Sequence, residues 1–147
     1  MTPQQHYRES VTSALGGYQL VEGLLKFYAG AYYNAVRAYL GERLFFDFHE
    51  KDVEKAPLER LVSGFAKTCG NKKLVAELRE LIGHRNEIAH QALLRLYDED
   101  ASDVKFHEMI EANHRIVDQL YRLQQEILQE VRSIHEKRDR AASAERA

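Results

Sequence analysis

The chain has 147 residues, 44% of them hydrophobic and 30% charged, the right size for one compact domain around a single core, and a second domain is not expected. Its formal net charge of −2 supplies no global positive field, so any nucleic-acid contact must be local. Cys69 is the only cysteine, which excludes an internal disulfide and a cysteine-based zinc cluster and fits a reducing compartment. With no basic-then-apolar leader and no apolar run near the ~18 residues of a membrane span, a soluble, cytoplasmic protein is expected.

Prolines occur only at Pro3 and Pro57, and apolar residues recur at three and four spacing almost throughout, so the pattern predicts an all-α chain. The first helix runs from Gln4 to Leu40, with a possible bend at Gly16-Gly17. Its expected inward face is Leu20, Val21, Leu24, Leu25, Tyr28, Tyr32, Ala35 and Tyr39, with Gly23 and Gly30 open to close helix approach. Residues Gly41 to Ala56 mix aromatics with charges and read as an irregular connection with room for a short helical turn. A second helix opens at Pro57, carries Leu58, Leu61, Val62 and Phe65, and stops at Cys69-Gly70.

Asn71 then caps a third helix, Lys72 to Leu96, which ends in the acidic loop Tyr97 to Ser102. Asp100 or Ser102 is expected to cap the last helix, Asp103 to Glu136. There Phe106, Ile110, Val117, Leu120, Ile127, Val131 and Ile134 follow a near seven-residue repeat, interrupted by Asn113 and Gln124 as polar registry residues. These elements predict an up-and-down bundle of four main helices, two of them long, over residues 1–137. Residues 138–147, charged and alanine-rich without apolar anchors, are expected to form a flexible tail.

The third helix holds the most informative segment. At about 100° per residue, Leu74, Leu78, Leu81, Ile82, Ile88, Ala89, Ala92 and Leu96 share one face, and Arg85 lies near its centre. An unpaired buried guanidinium costs several kcal/mol, so Arg85 must meet a carboxylate, a set of carbonyls, a second subunit or a bound anion. The surrounding segment leans positive, with Arg60, Lys67, Lys72, Lys73, Arg79, Arg85 and Arg95 against Glu77, Glu80 and Glu87. Arg85 and His90 project about 140° apart on one helix, whereas Asn86 and His90, four apart, share a face.

The run Arg85-Asn86-Glu87-Ile88-Ala89-His90 resembles the signature of the HEPN superfamily: an arginine, a polar residue, then a histidine after a short spacer. The same spacing occurs from Arg79 to His84, and Arg43 to His49 is one residue longer. The asparagine and the interrupted apolar stripe set Arg85 apart. The resemblance implies a homodimeric, HEPN-like, metal-independent endoribonuclease whose two motif helices meet at a shared cleft, with no cofactor. In it Arg85 would stabilise the charge of a pentacovalent phosphorane, Asn86 would orient the ring or hold a phosphate oxygen, and His90 would act as base toward a ribose 2′-hydroxyl or acid toward the leaving oxygen. It implies as its setting a toxin restrained by an antitoxin or other regulatory protein partner, or an antiviral defence effector. One departure stands out, since the tyrosine that some family toxins carry two residues after the histidine is replaced here by Ala92; Tyr97 lies further on.

Three other readings compete. A non-catalytic HEPN-like module would use the same bundle for dimerisation and recruitment. Glu87 to His90 and Glu111 to His114 both have the Glu-x-x-His spacing of di-iron carboxylate bundles, but both glutamates are expected to face outward, which disfavours a metal site. The aromatics Tyr28, Tyr32, Tyr33, Tyr39, Phe45, Phe46 and Phe48 could stack bases, although core and subunit packing account for them more simply.

Overall fold

The computed structural model describes residues 1–96 and 102–146, and all regular structure among them is helical. Helix α1 spans Pro3–Leu40, α2 Leu58–Thr68, α3 Lys72–Leu96 and α4 Asp103–Arg146, with one short 3-10 turn at Glu50–Val53 in the connection after α1. The expected boundaries therefore hold within a residue or two for α1, α2 and α3. Residues Tyr97 to Ala101, with the alternative cap Asp100, lie outside the described residues.

The starts of α1, α3 and α4 are chemically specified. Thr2 and Gln5 cap α1 reciprocally, Gln5 N–H donating to Thr2 Oγ1 at 3.2 Å and Thr2 N–H to Gln5 Oε1 at 2.7 Å. The Asn71 carboxamide oxygen accepts from Leu74 N–H at 3.2 Å, as its position before α3 led us to expect. Ser102 Oγ does the same for Lys105 N–H at the start of α4.

The frame of the molecule is a two-stranded coil of the two long helices. Tyr7, Ala14, Val21, Tyr28 and Ala35 on α1, and Phe106, Asn113, Leu120, Ile127 and Ile134 on α4, recur every seven residues and are buried. Cross-contacts climb both helices together, from Ser10 with Asn113, through Gly17 with Gln124, to Phe27 with His135, so the strands run parallel. The register is fixed by polar groups. Asn113 Nδ2 donates to Ser10 Oγ at 3.0 Å, Ser10 Oγ donates to the Tyr7 carbonyl at 2.7 Å, and Gln124 Nε2 donates to the Gly17 carbonyl at 3.3 Å. Two buried polar side chains that satisfy one another tolerate little axial slip.

Helix α3 runs antiparallel to both, because Asn71 meets Glu130 and Glu77 meets Arg122 on α4, while the later Leu81 meets the earlier Tyr18 on α1. The expected up-and-down order of four helices, two of them long, in which α1 and α4 would run in opposite directions, is therefore corrected: three helices are long, α1 and α4 run parallel, and α3 opposes both. Helix α2 is a short element beside the middle of α1, where Phe65 meets Tyr28 edge-on with ring centroids 4.6 Å apart. One core cluster joins all four helices, and a smaller one around Tyr7, Val11, Ala92 and Phe106 closes the end nearest the start of α1.

Several expectations need correction. Helix α1 is continuous through Gly16-Gly17; a Cβ on Gly17 would come within 2.9 Å of Leu120, so that glycine serves close approach to α4. Gly30 is overlain by Glu50, whereas a Cβ on Gly23 would meet nothing. Leu20 and Tyr39 are exposed, because the seven-residue period turns the buried face of α1 away from them. On α4, Leu123 takes a fully buried place, while Ile110 and Val117 are only half-buried. Helix α4 also continues to Arg146, past the expected tail at 138; its alanines and arginines are good helix formers.

Candidate functional site

The motif segment lies in the second half of α3, and the stripe it interrupts is real. Leu74, Val75, Leu78, Leu81 and Ala92 are buried, and Ile82 and Ile88 are half-buried. Arg85 falls between Leu81 and Ile88 in this series and is half-buried, whereas Arg79 and His84 of the rival spacing are both exposed. Ala89, expected on the buried face, is exposed. The stripe is centred closer to Leu81 and Ala92.

Beneath Arg85 sits Tyr18, which is 3% exposed and donates its hydroxyl to the Leu81 carbonyl at 2.9 Å. Burial pushes this hydroxyl above the ordinary tyrosine value, and the positive charge of Arg85 pulls it part of the way back. Arg85 therefore lies close enough for its charge to be felt inside the core. Among the described residues it forms no ion pair and no side-chain hydrogen bond. The acidic groups nearby in sequence are directed elsewhere: Glu77 pairs with Arg122 at 2.8 Å, and Glu87 is exposed.

Asn86 and His90 are both exposed and share the outward face of α3, while Arg85 is on the inward one. Within one chain, then, the asparagine and histidine are brought together and the arginine is not brought to them. On the flank between these faces, His84, Glu87 and Ile88 line a cleft of about 200 Å³ with Tyr7 and Asn113 from the two long helices. Nothing in the sequence marked Tyr18 or Asn113 as neighbours of the motif, since each is brought to α3 from another helix.

The rival constellations are dispersed. Glu87, His90, Glu111 and His114 are all exposed, and no group of three or more metal-type ligands forms among the described residues. His107 and Glu111 pair at 3.3 Å on open surface. No described helix is long and apolar enough to cross a membrane. The aromatic run divides: Tyr28 is core, Tyr32 stacks on it with centroids 6.2 Å apart, and Tyr33, Phe46 and Phe48 form a surface cluster that Phe45 leaves at 93% exposure.

No family model matches the chain, and no match was found among curated proteins or solved structures.

Proposed function

We propose that the protein is a homodimeric, metal-independent, HEPN-like endoribonuclease whose site is built from Arg85, Asn86 and His90 of two subunits. The observation that carries this reading is Arg85: a guanidinium on the buried stripe of α3, half-buried, with no acid or carbonyl answering it among the described residues. A phosphate oxygen offers the bidentate acceptor that the protein withholds. Asn86 and the exposed Ala89 stand on the flank of α3 that runs from Arg85 round to His90, and pairing two copies along that flank would bring two histidines and two arginines to one place.

The chemistry then balances without a metal. A ribose 2′-oxygen attacks the adjacent phosphorus while one His90 takes its proton; the bond from phosphorus to the 5′-oxygen breaks as the second His90 delivers a proton to that oxygen. Arg85 neutralises the charge that grows on the equatorial phosphorane oxygens, and Asn86 holds the histidine ring or a phosphate oxygen. The products are a 2′,3′-cyclic phosphate and a 5′-hydroxyl end. DNA, lacking the 2′-hydroxyl, stays intact.

Labelled RNA incubated with purified protein in EDTA tests the reading: cleavage that survives chelation and disappears in both Arg85→Ala and His90→Ala supports it, and intact RNA with a folded wild-type protein overturns it. A second reading, a non-catalytic dimerisation module, is favoured by the separation of Arg85 from His90 across α3. A stable dimer that cuts no RNA would select it. A toxin restrained by an antitoxin, or a defence effector, is the biological setting that accords with the ribonuclease reading, and growth arrest on expression, relieved by His90→Ala, would test it.

A further inference from the structure

A cleft of about 270 Å³ opens between α1, the connection and α2, well away from the motif. Its wall is aromatic. Tyr32 and Tyr33 contribute from α1 and Phe48 from the connection; both tyrosines are half-buried, and Phe48 is 54% exposed. The connection is fastened in place, since the Arg37 guanidinium donates to the Phe48 carbonyl and to Asn34 Oδ1. The opposite side is α2, where Gly64 lines the cleft and a Cβ added there would meet nothing within 4 Å. The glycine therefore leaves open a space that any side chain would occupy. Along the same helix Arg60 and Lys67 stand at the rim, both exposed and neither ion-paired among the described residues.

Flat aromatic walls, a gap kept clear by a glycine and two cations at the mouth suit a planar ring joined to an anionic group; the Asp52 carboxylate, which also lines the cleft, is turned to its own backbone and accepts from His49 N–H at 2.8 Å. The geometry points to a nucleobase seated between the rings of Tyr33 and Phe48 and α2, with its phosphate met by Arg60 and Lys67. Stacking on aromatic side chains takes any base by its face, and cations at the rim follow the backbone. The net charge of −2 makes such a local cationic pair more consequential, since the chain as a whole supplies no positive field. Tyr18, which marks the level of Arg85, lies fourteen residues before Tyr32 on α1, or about 21 Å along the helix. A strand several nucleotides long would be needed to touch both places. Occupation by an RNA strand rests on the ribonuclease reading; occupation by a free nucleotide does not.

The test uses the full chain carrying His90→Ala, so that no cleavage is required and failure of the nuclease chemistry leaves the outcome readable. Adenosine monophosphate is titrated by calorimetry, and a fluorescein-labelled single-stranded oligoadenylate by anisotropy. Gly64→Leu should reduce binding at least tenfold while the melting temperature is kept, because the substitution fills open space and favours the helix. Phe48→Ala, on the surface segment, should weaken binding by about 5- to 100-fold, the range of one base–aromatic stack. Arg60→Ala and Lys67→Ala should each lower the salt dependence of strand binding by about 0.7 in the slope of log K against log salt. Binding of the monophosphate that is lost in Gly64→Leu supports the site with a free nucleotide as its ligand, and loss confined to the strand supports RNA. Absence of binding by both the monophosphate and the strand, or binding that neither Gly64→Leu nor Phe48→Ala changes, overturns it.

Discussion

Arg85 holds a place that the spacing of Leu74, Leu78, Leu81, Ile88 and Ala92 would assign to leucine or methionine, and the two explanations for its presence predict opposite stabilities. If a hidden acid held it, removing the charge would strand that acid and cost about 3–5 kcal/mol. If it is retained for a ligand, an apolar residue of similar length improves the stripe. We therefore expect Arg85→Met to melt at or above the wild type, by up to about 2–4 °C for a gain near 1 kcal/mol in a domain of this size, while cleavage of RNA is lost. A melting temperature lowered by ten degrees would identify Arg85 as structural. The relative directions of Arg85, Asn86 and His90 were legible because all three lie on one helix, where spacing converts directly into direction. The setting of the motif was not, since Tyr18 reaches Leu81 from 63 residues away and no periodicity reports such a contact.

The glycines of α1 separate propensity from packing. Gly16 and Gly17 are neighbours in one helix, but an added Cβ meets nothing at the first and Leu120 at 2.9 Å at the second. Gly16→Ala should raise stability by about 0.5–1 kcal/mol, whereas Gly17→Leu should lower it by about 1–3 kcal/mol through overpacking. Denaturant melts of the two variants check this, and an equal response in both would mean that α1 and α4 do not meet at Gly17. The coil these helices form was half readable. The repeat in α4 was plain, and Asn113 and Gln124 stood out as polar residues within it; their partners Ser10 and Gly17, and hence the parallel direction, depend on tertiary pairing. Leu20 shows the opposite failure: judged at a period of 3.6 it belongs inside, but a strict seven-residue repeat carries it to the surface at 60% exposure.

Across the whole molecule, folding holds two tyrosines away from water. Burial raises the hydroxyls of Tyr18 and Tyr28 above their ordinary value of 10.0; the Arg85 charge opposes the shift at Tyr18, and the Thr68 hydrogen bond opposes it at Tyr28. Since the folded values are the higher ones, the unfolded chain releases these protons first. Their contribution is intact below pH 10 and declines as the pH rises through and beyond the tyrosine range, by about 1.4 kcal/mol per pH unit for each group. Chemical denaturation between pH 9 and 11.5 should show this slope, and Tyr18→Phe should reduce it; a flat profile would mean that the two rings are solvated.

Assembly is the other property of the whole molecule, and the function proposed here depends on it. Gly83 lies on the outward side of α3 among Asn86 and His90, is exposed, and has open space where a Cβ would stand. A carboxylate there disturbs nothing within the chain and exchanges a helix-weakening residue for a helix former. If two copies meet face to face through this surface, Gly83→Glu sets two like charges against each other across the symmetry axis and beside any bound phosphate. Sedimentation should then show the wild type at twice the 17.0 kDa of one chain, and the variant as a folded monomer that cuts no RNA. A wild-type monomer would remove the second histidine on which the mechanism depends. A Gly83→Glu protein that stays dimeric and active would place the shared site on another face of the bundle.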